Sequence, residues 1–260
     1  MEQNLSKKTR TESDLIGSRE VPESALYGVQ TLRGIENFRI SKFHLNEYPL
    51  FIQALAITKM GAAVANRELD LLTEEQADAI LKACKEILEG KHHDQFPVDM
   101  IQGGAGTTTN MNANEVIANR ALELMGHQRG EYQYCSPNDH VNRSQSTNDA
   151  YPTAIHIGLY YTHLKLVKHF EVLIESFRKK ATEFAHVIKM GRTQLEDAVP
   201  MTLGQTFNGF ASILRHEVKN LDFAAQDFLT VNMGATAIGT GITAEPEYAE
   251  KCIAALRKIT

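Results

Sequence analysis

The chain has 260 residues, of which 43% are hydrophobic and 23% are charged, and its formal net charge is -5. These values are ordinary for a folded globular protein, and the mild acidity argues against a nucleic-acid-binding protein. No apolar run approaches the length of a transmembrane helix, and residues 1–10 lack the apolar core of a signal peptide. Cys84, Cys135 and Cys252 are scattered and match no metal or redox spacing, so we expect a cytoplasmic location.

The first fifth of the chain has little periodicity. Residues 1–13 are polar, and we expect them to lack regular structure. Residues 14–50 mix glycine and proline with short apolar pieces, which predicts irregular structure with a short strand near residues 38–40.

Two helices are predicted next. In residues 51–68, apolar side chains recur at intervals of three and four, with Lys59 on the same face, as in a helix packed against a core. Thr73-Glu-Glu-Gln76 is a capping-box pattern and begins a helix that continues to about Leu88. Gly90 follows at a position where glycine commonly ends a helix.

Two polar stretches each precede a predicted helix. Residues 103–109 read Gly-Gly-Ala-Gly-Thr-Thr-Thr, before a helix over about 110–125, and residues 144–149 read Ser-Gln-Ser-Thr-Asn-Asp, before the most periodic segment of the chain. Asp149 is placed to cap that helix, and Pro152 suits its first turn. Such a helix N-terminus suits a ligand carboxylate or phosphate. The glycine-rich stretch lacks the Gly-Lys-Ser/Thr ending of a nucleotide-binding P-loop, and a plain capped turn is the alternative for each stretch.

Two long helices are predicted over residues 151–186 and 201–231, where apolar residues step by threes and fours. The connection between them, residues 191–200, is short, so we expect an antiparallel pair within a helical bundle. A loop of small residues follows at 232–241. The pair alone cannot bury apolar residues on more than one face, which predicts that other sequence or other subunits complete the bundle.

A last helix is predicted from about Pro246, and its pattern is unfinished at Thr260. Because a natural domain rarely ends within a helix, we expect the chain to be a piece of a longer protein. We place a domain boundary between residues 140 and 141. It separates an N-terminal domain over 1–140 from a truncated helical-bundle domain over 141–260.

Together these stretches resemble the aspartase/fumarase superfamily over nearly the whole chain. The likeness lies in the order and spacing of Arg19-Glu-Val-Pro22, Tyr27-Gly-Val-Gln-Thr-Leu-Arg33, Gln102-Gly-Gly-Ala-Gly-Thr107, Asn110-Met-Asn112, Asn114-Glu-Val116, Glu131-Tyr-Gln-Tyr134, Ser144-Gln-Ser-Thr-Asn-Asp149, Gly191-Arg-Thr-Gln-Leu195 and Gly234-Ala-Thr-Ala-Ile-Gly-Thr-Gly241. The resemblance implies a mainly α fold, in which a mixed or helical N-terminal domain precedes part of a long-helix bundle. It also implies a homotetramer whose active sites combine pieces of three subunits.

The resemblance further implies a reaction. Members of the superfamily remove a proton from the carbon next to a carboxylate and form an aci-carboxylate with two negative charges, which needs preorganised hydrogen-bond donors. We expect deamination of L-aspartate to fumarate and ammonia. The resemblance assigns catalytic contacts with that carboxylate to Thr107, Ser146, Thr147 and Thr193, places Asn148 and Gln194 beside the amino group, and makes Asn110 a further substrate-binding residue.

Hydration of fumarate is the alternative reaction. Class II fumarases usually have histidine at the position of Gln194 and also at the position of Ser136, before Pro-Asn-Asp. Both departures favour the aspartase branch of the superfamily, which Glu131-Tyr-Gln-Tyr134 also resembles.

The family signature Gly-Ser-Ser-x-x-Met-Pro-x-Lys-x-Asn-Pro does not occur in residues 1–260. In the family this flexible loop supplies the serine base and the Lys and Asn that bind the second carboxylate, so we expect this chain alone to be inactive. A non-catalytic helical oligomerisation module is the alternative from another functional class. No cluster of His, Asp and Glu has ligand spacing, and we expect no cofactor, with a divalent metal only as an activator.

Overall fold

The computed structural model describes residues 8–260, and its fold class is mainly α, as predicted. Its α-helices are α1 (Val29–Asn37), α2 (Pro49–Glu68), α3 (Glu74–Leu88), α4 (Thr107–Leu124), α5 (Thr147–Glu183), α6 (Leu203–Ala225) and α7 (Tyr248–Ile259). Within the same range the strands form two antiparallel hairpins, β1 (Thr9–Asp14) with β2 (Gly17–Pro22) and β3 (Ile188–Thr193) with β4 (Glu196–Thr202). Residues 1–7, part of the stretch expected to lack regular structure, lie outside the described residues.

The chain divides into two compact units. The first unit contains the residues up to Gly158 together with Val231–Thr260, and the second contains Leu159–Thr230. Helix α5 begins in the first unit and ends in the second. The domain boundary predicted between residues 140 and 141 stays a prediction.

Helix α2 is central to the first unit and contacts α3, α4 and α7. Of its 20 residues, 13 are buried, because small and aliphatic side chains occur on all of its faces. Gly61 lets α7 approach closely, since a Cβ at this position would lie 2.7 Å from the side chain of Leu256. The core continues into α3 and α4 through fully buried alanine, isoleucine, valine and leucine side chains. This packing gives the loops around α2 a fixed frame.

The predicted ends of α3 are confirmed. Thr73 Oγ1 accepts a hydrogen bond from the Gln76 N–H, and Gln76 Oε1 accepts one from the Thr73 N–H, each at 3.2 Å. Gly90, with a φ of 86°, follows the last turn. Helix α4 begins at Thr107, three residues before the predicted start. The reason is that Gly106 takes the left-handed cap position, with a φ of 87°, and the threonines after it continue the helix.

The prediction that residues 1–13 lack regular structure is wrong for residues 9–13, which form strand β1 together with Asp14. The carboxylate of Glu20 on β2 accepts hydrogen bonds across the pair from the hydroxyls of Thr9 at 2.7 Å and Thr11 at 2.6 Å. Threonine is a favourable strand residue, so a polar segment forms a regular hairpin here.

The short strand predicted near residues 38–40 is also wrong, because this segment has no regular structure. The backbone N–H groups of Ile40 and Ser41 donate to Asp99 Oδ2 at 3.0 and 2.7 Å. A buried carboxylate therefore takes the hydrogen bonds that a neighbouring strand would take.

The second unit contains the predicted antiparallel helix pair. His163 on α5 is hydrogen-bonded to Asp222 on α6 at 2.9 Å, and the rings of Phe184 and Phe207 lie 5.7 Å apart between centroids. Early residues of α5 thus meet late residues of α6, as an antiparallel arrangement requires.

The connection in this pair, expected to be a short segment over residues 191–200, occupies residues 188–202. It is the hairpin of β3 and β4, with Gln194 and Leu195 as its turn residues. Their φ angles are 50° and 67°, which is uncommon for residues other than glycine. Pro200 lies within β4.

Apolar side chains remain exposed on both long helices. They include Leu159, Leu166, Val172, Leu173, Phe210, Ile213 and Phe223. No helix among the described residues combines the length and apolarity needed to cross a membrane.

Candidate functional site

The N-terminus of α5 is capped by Ser146. Ser146 Oγ accepts a hydrogen bond from the Asn148 N–H at 3.2 Å, and Asp149 Oδ1 accepts one from the Ser146 N–H at 2.9 Å. This reciprocal arrangement resembles a capping box. The helix therefore begins at Thr147, four residues before the predicted start. Its cap is Ser146, so the prediction that Asp149 caps the helix is wrong. Pro152 lies inside the helix.

Asp149 joins the small-residue loop 232–241 to the start of α5. Its side chain is fully buried, and its Oδ2 atom accepts hydrogen bonds from the N–H groups of Gly234 at 3.1 Å and Thr236 at 2.9 Å. Asn148 Nδ2 donates to a backbone carbonyl of the same loop at 2.8 Å. The loop therefore lies directly beside the polar stretch that begins α5.

Helix α4 also begins next to α5. A Cβ at Gly106 would overlap the ring of Tyr151, so the backbone at the start of α4 touches the first turns of α5. Gln102 fixes this start, because its Oε1 atom accepts a hydrogen bond from the Thr109 N–H at 2.8 Å. Thr107, the exposed first residue of α4, is thereby placed beside the N-terminus of α5.

Asn110 links the two helix starts. It is buried, and its Nδ2 atom donates to Thr147 Oγ1 at 3.2 Å. The structure thus brings together, within the first unit, the predicted site residues Thr107, Asn110, Ser146, Thr147 and Asn148.

Thr193 and Gln194 belong to the second unit. Thr193 is the last residue of β3, Gln194 is the first turn residue after it, and both are exposed. Their combination with the five residues of the first unit stays a prediction.

Lys59 of α2 lies beneath this cluster and is not among the predicted site residues. Its Nζ atom donates to Asn110 Oδ1 at 2.8 Å, and to Asn142 Oδ1 and Gln145 Oε1 at 2.9 Å each. Its side chain is fully buried. Burial lowers the pKa of Lys59 to about 7, and the negative charge of Asp149 opposes this shift. Three amide oxygens around the nitrogen favour the ammonium form, which has three hydrogens to donate.

A second polar residue of α2 shapes the same loop. Asn66 Nδ2 donates to the carbonyl of Arg143 at 2.9 Å, and Asn66 Oδ1 accepts a hydrogen bond from Ser144 Oγ at 2.8 Å. Ser144 has a φ of 61°, so this contact holds a backbone conformation that a free loop rarely adopts. A lysine and an asparagine on a helix face that is otherwise apolar were the sequence signal for this role.

The arrangement suits an anion. Two helix N-termini meet, each with a positive end of its dipole, and hydroxyl and amide groups surround them. Asp149, the buried carboxylate at this position, has its oxygens engaged by backbone N–H groups. A ligand carboxylate at this place would therefore meet hydrogen-bond donors and little opposing charge.

Metal-ligating side chains do not cluster in the described part of the chain. No group of three or more His, Cys, Asp or Glu residues there is arranged to hold a metal ion. Cys84, Cys135 and Cys252 are buried and free.

Comparison with known proteins gives a family and several relatives. A family model described as "Lyase" matches residues 17–260. The chain is 54% identical to the aspartate ammonia-lyase of Escherichia coli strain K12 over 257 residues, which is 98% of this chain and 54% of that protein. It is 56% identical to the aspartate ammonia-lyase of Pseudomonas canavaninivorans over 252 residues, 96% of this chain and 53% of that protein. The chain thus spans about half the length of the curated relatives it matches.

Solved structures give the same picture. The fold matches a fumarate lyase:delta crystallin from Brucella melitensis bound to cobalt with a TM-score of 0.92 and 51% identity, over 97% of this chain and 55% of that one. It matches a class II fumarase from Schistosoma mansoni with a TM-score of 0.90 and 36% identity, over 97% of this chain and 53% of that one.

Proposed function

The chain belongs to this lyase family of aspartases and fumarases, and we propose that the protein converts L-aspartate to fumarate and ammonia. The observation that carries the proposal is the bond between Asn110 and Thr147 at 3.2 Å, which joins the N-termini of two helices around a cluster of hydroxyl and amide groups. The proposal is also supported by the names of relatives that are 54% and 56% identical.

The chemistry explains why such a cluster is useful. Removal of a proton next to a carboxylate places a second negative charge on that carboxylate, and this intermediate is very unfavourable in water. Donors fixed in advance around the carboxylate stabilise the charge as it develops, without reorganisation during the reaction. Neutral hydroxyls and amides supply such donors without holding the product as an ion pair.

The carboxylate next to the acidic carbon is bound by the hydroxyls of Thr107, Ser146, Thr147 and Thr193. Asn148 and Gln194 lie beside the departing amino group. Asn110, predicted as a further substrate-binding residue, donates a hydrogen bond to Thr147 Oγ1 at 3.2 Å. Thr193 and Gln194 belong to the hairpin of β3 and β4, and by family resemblance the site combines pieces of three subunits.

The general base is assigned to no residue of 1–260. By family resemblance it is a serine in the signature loop, a motif that this sequence does not contain. The same loop carries the Lys and Asn for the second carboxylate. The chain therefore contributes the charge-stabilising part of the site.

Hydration of fumarate is less well supported. Gln194 and Ser136 stand where class II fumarases usually have histidine. Ser136 has a structural task instead, because its Oγ atom accepts a hydrogen bond from the Asp139 N–H at 3.1 Å and donates one to Asp139 Oδ2 at 2.9 Å. The fumarase relative is also more distant, at 36% identity.

Assembly, location and cofactor use complete the proposal. The exposed apolar side chains of α5 and α6 support burial against other long helices, as in a homotetramer whose core is a helical bundle. Free, buried cysteines suit the reducing cytoplasm. The reaction itself asks for no metal, so a divalent ion acts only as an activator.

The test is a pair of assays on the complete gene product. L-aspartate should yield fumarate and ammonia in equal amounts, with fumarate followed by its ultraviolet absorbance and ammonia by a coupled assay. Fumarate without ammonia should yield little malate. Faster formation of malate from fumarate than of fumarate from aspartate would replace this proposal with fumarase activity.

A further inference from the structure

The ammonium of Lys59 determines how its neighbours are oriented. A lysine ammonium donates hydrogen bonds and accepts none, so the atoms of Asn110, Asn142 and Gln145 that face it at 2.8–2.9 Å are their side-chain oxygens. Among the described residues, no carboxylate lies within ion-pair distance of Lys59. Its direct hydrogen-bond partners are therefore amide oxygens, and the negative charge of Asp149 acts on it only from a distance.

The orientation of Asn110 follows from this contact. With Oδ1 held by Lys59, its Nδ2 atom must face the other way, where it donates to Asn142 Oδ1 at 3.1 Å and to Thr147 Oγ1 at 3.2 Å. Thr147 Oγ1 thus accepts a hydrogen bond from Asn110, on the side that faces Lys59. The hydrogen of its hydroxyl remains available to an acceptor outside the cluster.

We propose that Lys59 is a positioning residue for the reaction, which acts through Asn110 to hold the Thr147 hydroxyl as a donor toward the substrate carboxylate. This inference rests on the proposed function. The buried charge also strengthens the donor, because hydrogen bonds in a chain polarise one another in a low-dielectric interior. Lys59 thus contributes to stabilisation of the aci-carboxylate without touching the substrate.

The sharpest variant is Asn110→Asp, which keeps the shape of the side chain. Its carboxylate gives Lys59 an ion-pair partner and has no hydrogen to donate to Thr147. The Thr147 hydroxyl would then donate inward to the new carboxylate. We expect a folded protein, because the new ion pair with Lys59 offsets the lost hydrogen bond to Asn142 Oδ1. We expect kcat to fall about a hundred-fold and KM to change much less, because the donor matters most as the charge develops.

A double-mutant cycle tests the path of the effect. Lys59→Met alone should lower kcat/KM about a hundred-fold, but in a Thr147→Val background it should lower it less than about threefold, because the group through which Lys59 acts is gone. Ser146→Ala provides the control background, since the Ser146 hydroxyl has no bond in the chain from Lys59 through Asn110. In the Ser146→Ala background, Lys59→Met should still lower kcat/KM about a hundred-fold. Lys82→Met, at an exposed lysine of α3, should behave as wild type.

The results distinguish failure of the positioning role of Lys59 from failure of the proposed function. If Asn110→Asp is stable and retains more than about a third of the wild-type kcat, the positioning role is wrong, and the same holds if the effects of Lys59→Met and Thr147→Val multiply independently. Asn110→Asp decides the matter if Lys59→Met does not fold. All variants are assayed for both aspartate deamination and fumarate hydration, which share the same charged intermediate. A wild type that only hydrates fumarate overturns the proposed function and leaves the positioning role open to the same test, whereas a wild type without either activity overturns both.

Discussion

The side-chain amide of Asn232 donates to the backbone carbonyl of Asn148 at 3.0 Å. This carbonyl would normally pair with the N–H of the residue four positions later, which is Pro152 and has no N–H. In return, the Asn148 amide donates to the carbonyl of Ala237 at 2.8 Å. A gap in the hydrogen bonding of α5 is thus filled by the loop that follows α6 in the sequence.

Replacement of Asn232 by alanine should therefore lower the free energy of unfolding by about 1 kcal/mol. In a Pro152→Ala background the new N–H can bond the Asn148 carbonyl, and the same Asn232→Ala change should then have little effect. Urea unfolding of the four proteins measures both differences. Equal losses in the two backgrounds would show that Asn232 stabilises the protein by another route.

Substitution of the buried Asp149 should lower the free energy of unfolding more than substitution of Asn232 does. The Asp149 oxygens accept hydrogen bonds from backbone N–H groups of residues 146, 234 and 236, and Asp149→Asn would turn one oxygen into a donor that faces another donor. We expect a loss of about 2–3 kcal/mol in the free energy of unfolding. Glu171→Gln, an exposed change of the same kind on α5, is the control and should change it by less than about 0.5 kcal/mol. A mild effect of Asp149→Asn would contradict the assigned role.

The sequence predicted the helices well because their patterns are local. The capping box of Thr73 and Gln76 and the glycine at Gly90 mark the limits of α3 through groups within a few residues of each other. The long spacing patterns also predicted α5 and α6 as a pair. Such features depend on helix periodicity and capping, which do not require knowledge of the rest of the fold.

The hairpins and the contacts of Lys59 beneath the site could not be predicted in the same way. The turn between β3 and β4 uses Gln194 and Leu195 at positive φ, where Asn-Gly or Asp-Gly is the usual signal. Lys59 gains its role from Asn110 and from two residues more than 80 positions away. The pattern of α2 indicates only that a lysine lies on an apolar face, and the partners come from tertiary packing.

A pH-dependent contribution is expected from Glu86. Its carboxylate accepts two hydrogen bonds from the Arg120 guanidinium at 2.6 and 2.8 Å, which lowers the pKa of Glu86 to about 2. Because the folded-state pKa lies below the unfolded one, the stabilisation is present above about pH 4.5 and is lost as the pH falls toward 2. Glu86→Gln should thus lower the free energy of unfolding by about 1 kcal/mol at pH 7, allowing for solvent screening.

The pH dependence itself is the check on this prediction. The difference between Glu86→Gln and wild type should shrink steadily when urea unfolding is repeated at pH 5, 4 and 3. Glu89→Gln, at an exposed glutamate paired with Lys91, should change stability little at any of these pH values. A difference that stays constant down to pH 3 would rule out the paired carboxylate as its source.

The contact of Gly106 with Tyr151 predicts a combined effect on stability and activity. Gly106→Ala adds both a strained left-handed residue and an overlap with the Tyr151 ring, so we expect a loss of more than about 2 kcal/mol in the free energy of unfolding. Gly126→Ala has a similar φ of 83° but open space around its Cβ, and should lose only about 1 kcal/mol. Because Thr107 follows Gly106 directly, only the first variant should also lose kcat/KM. Similar results for the two variants would argue against close packing of α4 on α5.

We propose that hydroxyls of this chain stabilise the charge that develops on the substrate carboxylate. The most direct measurement is kcat/KM for L-aspartate in the complete gene product carrying Thr193→Ala or Ser146→Ala, together with their melting temperatures. Ser176→Ala serves as the control, because the Ser176 hydroxyl donates to the Val172 carbonyl of its own helix α5 at 2.8 Å. We expect kcat/KM to fall roughly a hundred- to a thousand-fold in the first two variants. Thr193→Ala should be as stable as wild type, and Ser146→Ala should lose about 1 kcal/mol of stability with its helix cap. Folded Thr193→Ala and Ser146→Ala variants with near-normal kcat/KM would contradict this role of the hydroxyls.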